Sequence, residues 1–140
     1  MSDAESLDGM STVEVRTSAT AALIPTIRAV ASDLAARADF DLDAISDLRM
    51  AVDEACAALV DAAEPTSVLK CRFLVRPERI QVHAEVQAAK PDTALSTDTF
   101  GWRVLQTLAD EVEVLHEAAS DGRSATVGIR LDKSAGDVPR

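Results

Sequence analysis

Two rhythms run along this chain. In some stretches apolar and polar residues alternate, and in others apolar residues return every three or four positions. The segment TVEVRT, Thr12 to Thr17, alternates with Val13 and Val15 on one face and predicts a strand. SATAALIPTIRAVASDLAARA then predicts a helix, with Ser18 as its N-cap and Leu23, Ile27, Val30, Ala31 and Leu34 as its apolar stripe. Pro25 starts or kinks that helix, because its ring fixes φ and it has no N–H to donate. The cleanest helical repeat runs from Leu42 to Ala62, where Ile45, Leu48, Val52, Ala55 and Leu59 share one stripe. At ~100° per residue the opposite face carries Asp43, Asp47, Met50, Glu54, Ala58 and Asp61.

Past the breaker Glu64-Pro65, SVLKCRFLV alternates with Leu69, Cys71, Phe73 and Val75 on one side. Pro77-Glu78 turns the chain, and IQVHAEV alternates through Ile80, Val82, Ala84 and Val86. Gln87 to Thr97 is polar, contains Pro91, and predicts a loop of the length that often serves as a lid. A short helix from Phe100 to Ala109 points Val104, Leu105 and Leu108 inward, and EVEVLHE and SATVGIRL form a second hairpin about Asp121-Gly122. The order β-α-α-β-β-α-β-β predicts a two-layer α/β sandwich, a mixed, mostly antiparallel sheet covered on one face by helices. Residues 1–11 and 133–140 read as disordered tails around a single domain at 12–132.

Composition narrows the function. With 140 residues and 47% hydrophobic content, the chain can bury roughly two thirds of its unfolded surface in one core. A net charge of -10 without any Lys/Arg cluster argues against direct nucleic-acid binding. No leader pattern and no membrane-length apolar run is present, so a cytoplasmic protein is expected. Cys56 and Cys71 lack metal-ligand spacing and read as reduced, buried thiols. His83 and His116 fall on predicted strands and read as structural, which argues against a phosphotransfer domain presenting histidine from a helix. No Ser-His-Asp arrangement and no metal-ligand set can be drawn from these spacings.

The element order, the helix DLRMAVDEACAALV and the segment TFGWRVLQTLADEVEVLHE resemble the anti-sigma factors of the RsbW and SpoIIAB type, and among them the actinobacterial UsfX branch. These are small GHKL ATPases with the Bergerat fold, and the resemblance spans Thr12 to Leu131. It implies a homodimer that holds an RNA polymerase sigma factor inactive and is countered by STAS-domain anti-anti-sigma factors. Many members also phosphorylate a serine on that antagonist with ATP and magnesium. In those kinases the helix equivalent to Leu42–Ala62 carries a glutamate that assists the attacking hydroxyl, a metal-holding asparagine one turn later, and often a histidine another turn on.

Glu54 matches the family's glutamate, but Ala58 stands one turn on and Ala62 two turns on, and a methyl group supplies no oxygen ligand. Where the family has DxGxG, this chain reads QAAKPDT, without glycine. The family's GxGφ reads Thr99-Phe100-Gly101-Trp102, with one glycine kept. A helix N-terminus there still attracts an anion, and Trp102 reads as a core anchor in place of a large apolar residue. The expectation is a sigma-binding protein with Glu54 as a catalytic relic, a vestigial nucleotide site at Ala58, Thr99, Gly101 and Trp102, no metal ligands, and ATP with magnesium bound weakly or not at all. The alternatives are a working serine kinase with a metal ligand elsewhere, and a scaffold domain that has lost the sigma partner.

Arg28 stands at the interval ahead of Glu54 where the family has an arginine that contacts both partners. It suits that role, and equally suits an ordinary solvated face. Arg28→Glu is expected to weaken both complexes and leave the fold intact. Asp43, Asp47, Asp53, Glu54 and Asp61 make one helix acidic, which reads as a solvated face or as a match for a basic sigma surface.

Overall fold

The computed structural model describes residues 10–136. Strand β1 (Ser11–Ser18) leads through a 3-10 turn at Ala21–Leu23 into helix α1 (Ile24–Arg37), and helix α2 (Leu42–Ala62) follows. Strands β2 (Val68–Arg76) and β3 (Arg79–Gln87), helix α3 (Phe100–Leu108) and strands β4 (Glu111–Glu117) and β5 (Thr126–Ser134) complete the order. Pro25 sits in the first turn of α1, where a missing N–H costs no helical bond. Ser18 is not the helix cap that its sequence suggests. Sheet pairing with Val68 keeps it extended, and Thr20 caps the 3-10 turn instead, accepting from the Ala22 N–H at 3.1 Å. Asp41 caps α2 by accepting from the Ala44 N–H at 2.7 Å.

The sheet order is β1-β2-β3-β5-β4, and every neighbouring pair is antiparallel, which corrects the expected mixed sheet. The connections explain this. The two helices α1 and α2, joined by a short turn, return the chain to the end of the sheet it left, so β2 must run against β1. The single helix α3 carries the chain back across, and β5 then inserts between β3 and β4, opposed to both. Pro77 and Glu78 close one hairpin, with Glu78 at φ 64°; in the other, Asp121 and Gly122 at φ 47° and 77° form the left-handed pair that matches strand twist.

Alternation sends Leu69, Cys71 and Phe73 of β2, Ile80, Val82, Ala84 and Val86 of β3, and Val127, Ile129 and Leu131 of β5 toward the helices. Helix α2 lies on β3 and β5 and is flanked by α1 and α3. Its buried face (Ala44, Leu48, Ala51, Val52, Ala55, Cys56 and Leu59) is therefore broader than a single stripe, and Ile45 at its margin is only half-buried. Cys56 and Cys71 are buried free thiols that meet across this helix–sheet contact. Hydrogen bonding to Cys56 and burial hold the Cys71 thiol protonated well above its usual range. Strand β5 continues to Ser134, and buried Ala135 donates to the Glu78 carbonyl at 2.9 Å while accepting from the Asp41 N–H at 3.1 Å. The chain thus leaves the fold later than residue 133, and Ser11 already belongs to β1. The rest of the expected tails lies outside the described residues. No helix among the described residues is long and apolar enough to cross a membrane.

The other sheet face carries a polar row, Glu14, Arg72, His83, Arg130 and Glu113, one residue from each strand. Partial burial lowers the His83 pKa, with Arg72, Lys70 and Arg130 adding to the effect and Glu85 opposing it. The unfolded chain therefore takes up more protons than the folded one just below pH 6.5, and stability falls as pH drops through that value. Urea melts from pH 7.5 to 5 should show a slope in this window that is shallower in His83→Gln; equal slopes would exclude His83 as its source.

Candidate functional site

Helix α2 presents Glu54 on its side toward α3, half-buried. Thr99 caps α3, its hydroxyl accepting from the Trp102 N–H at 3.0 Å, and this fixes where the first turn of α3 lies. Gly101 in that turn rests directly on Glu54. A Cβ placed there would lie 3.1 Å from the carboxyl carbon and collide with Oε2. The absence of a side chain at Gly101 therefore lets the carboxylate lie against the backbone that opens α3. Trp102 is half-buried and packs on the core, as a core anchor does. Thr99, Gly101 and Glu54 are thus brought together from distant parts of the sequence, with Ala58 one turn further along α2.

The loop between β3 and α3 is stapled at its start. The Ala89 N–H donates to the Ala62 carbonyl at 2.9 Å, and the Ala88 N–H to the Ala125 carbonyl at 2.7 Å. Short turns continue it, with the Lys90 N–H on the Thr93 hydroxyl at 2.9 Å and the Asp98 N–H on the Ser96 hydroxyl at 3.1 Å. Leu95 tucks against the core between them. One and two turns beyond Glu54, Ala58 and Ala62 offer only methyl groups. A methyl group supplies no oxygen ligand, so Ala58 itself cannot hold a magnesium ion.

Arg28 does not stand free on α1. Its Nη1 donates to Asp53 Oδ2 at 3.0 Å, tying α1 to α2 beside Glu54. Both side chains remain about one third exposed, whereas Asp53 Oδ1 is buried with no hydrogen-bond partner among the described residues. Asp53 escaped sequence reasoning as a specific partner. The stretch marks it only as one acid among several, and nothing local signals which arginine will cross from another helix. His116 is exposed on β4, and His83 lies on the opposite face of the sheet; neither belongs to this site.

The sequence matches the family described as Histidine kinase-like ATPase domain over residues 17–129. It is also similar to the Anti-sigma-F factor RsbW of Mycobacterium tuberculosis, in strain CDC 1551 / Oshkosh and in strain H37Rv. Each is 34% identical over 125 residues, covering 88% of this chain and 73% of the relative. The chain belongs to the histidine kinase-like ATPase domain family, in its RsbW-type group.

Proposed function

We propose that this protein is an anti-sigma factor of the UsfX type. It sequesters a stress-response RNA polymerase sigma factor in the cytoplasm and is countered by STAS-domain anti-anti-sigma factors. The observation that carries this reading is the 34% identity to Anti-sigma-F factor RsbW, which runs through both the α2 and α3 segments. Binding, not phosphoryl transfer, is its principal activity. Phosphoryl transfer rests on positioned phosphates and metal charge, and a methyl group at Ala58 stands where the resemblance puts the metal-holding asparagine. Glu54 is then a retained carboxylate without a metal to work beside, and Arg28 is the partner-binding cation. A homodimer formed through exposed strand edges completes the reading, with β1 and β4 the edges available.

A second reading, an active serine kinase using ATP and magnesium, is favoured by family membership and by Glu54 standing at the opening of α3 beside Gly101. Capture of sigma factors and STAS-domain proteins from the source organism, followed by incubation with labelled ATP and magnesium, separates the readings. A stable sigma complex with no transfer of label is expected. Stoichiometric serine labelling that Glu54→Ala abolishes would replace the binder with the kinase. Failure to capture any sigma factor would leave only a scaffold domain.

A further inference from the structure

Helix α1 carries two arginines, and their surroundings differ. Arg37, in the last turn, pairs along its own helix with Asp33 at 2.8 Å, and both of these side chains are mostly exposed. Arg28, in the second turn, instead reaches across to Asp53 and makes the one ion pair between α1 and α2 among the described residues. Both ends of this contact start from fixed backbone. Arg28 follows Ile27 and Asp53 follows Val52, and both of those apolar side chains are fully buried. The Ser32 hydroxyl donates to the Arg28 carbonyl at 3.1 Å. A free arginine samples many rotamers, but the tip of this one is held at 3.0 Å from Asp53 Oδ2.

Asp53 is poorly placed to stabilise the fold. Its Oδ1 is buried without a hydrogen-bond partner among the described residues, and a buried acceptor left unmatched costs stability. An ion pair exposed to this degree returns little of that cost. What the contact does supply is a direction for the guanidinium. Charge alone makes the opposite demand, because a carboxylate beside Arg28 offsets its attraction for any further anion. Removing Asp53 therefore has two expected effects of opposite sign: release of a partly neutralised cation, and loss of the group that orients it.

We infer that Asp53 is a positioning residue for Arg28, fixing from α2 the orientation in which the remaining guanidinium N–H groups are presented to a carboxylate of the protein partner. Orientation outweighs neutralisation, because a guanidinium ordered before the encounter loses less freedom when the complex forms. The inference rests on the reading of Arg28 as the partner-binding cation and adds to it the residue through which α2 takes part in binding.

Affinity for the sigma factor captured from the source organism would be measured by calorimetry for the full chain and its variants, at a temperature where melts show each to be folded. Asp53→Ala should weaken binding about two- to tenfold, the cost of ordering one long side chain, although it removes a negative charge beside Arg28. Asp53→Asn keeps an oxygen to accept from Nη1 and should stay within about twofold of the parent. In an Arg28→Ala background, Asp53→Ala should change affinity no further. In the free protein, the heteronuclear NOE of the Arg28 Nε–H group should be high in the parent and in Asp53→Asn, and low in Asp53→Ala. A purely structural tie would shift the melts and leave the affinity of the folded protein unchanged. Three results would therefore overturn this inference alone: equal or tighter binding by Asp53→Ala, an equal loss with and without Arg28, or an Arg28 side chain as mobile in the parent as in Asp53→Ala. A parent chain that binds no sigma factor would overturn it together with the reading on which it rests.

Discussion

Phe73→Ala should lower the stability of the fold by about 3–5 kcal/mol, as measured by urea unfolding of the full chain. Phe73 is fully buried in β2, one strand in from the sheet edge, paired with Val13 of β1 and Val82 of β3 on the face under the helices. Truncation removes its transfer free energy and leaves a void that the surrounding sheet and helices cannot close, because their backbones are hydrogen-bonded in register. A chain of this size has a total stability of about 7–20 kcal/mol, so the loss is a large share of it. Phe100→Ala provides the contrast. The same residue type at 81% exposure should change stability by no more than about 0.5 kcal/mol, and a cost near that of Phe73 would mean that the exposed ring is not where the structure places it.

With Arg28 as the proposed partner-binding cation, reversing its charge is expected to reduce affinity for a sigma factor by about a hundredfold or more, because attraction to a partner carboxylate would give way to repulsion. The tie to Asp53 alters what the sequence suggests about the fold. Arg28→Glu sets two carboxylates against each other at the α1–α2 contact, where Asp53 Oδ1 already lacks a partner, so stability should also fall, by about 1 kcal/mol for a pair this exposed. The fold is therefore not left untouched. The swap Arg28→Asp with Asp53→Arg separates the two effects. Urea melts should recover toward the parent while sigma affinity, measured by calorimetry, stays low. Recovery of both would make Arg28 a purely structural partner of α2 and remove it from the binding surface.

The elements and their order were legible because each has one dominant period. Alternation marked β2, β3, β4 and β5, and the repeat through Leu48, Val52, Ala55 and Leu59 marked α2 almost to the residue. The helix caps were harder to read. Ser18 and Thr20 are both chemically able to cap, and only the pairing of Ser18 with Val68 decides between them. At the site, Glu54, Ala58, Thr99, Gly101 and Trp102 could be named from motif positions, but their mutual geometry could not. The contact between Gly101 and the Glu54 carboxylate depends on how α3 settles on α2, and the pairing of Arg28 with Asp53 depends on how α1 crosses it.

By itself the sequence determined the two-layer plan, the helix that carries Glu54, and the methyl side chains of Ala58 and Ala62 on that helix, because residue identity and local period suffice for each. Only the tertiary structure decided that the sheet is wholly antiparallel, that Ala135 still belongs to the fold, and that Asp53 holds Arg28. It alone also decided that Phe100, apolar like Phe73, is left in water beside an acidic helix. Each of these depends on which distant segments meet, and hydrophobic periodicity records the side a residue faces without recording what lies across from it.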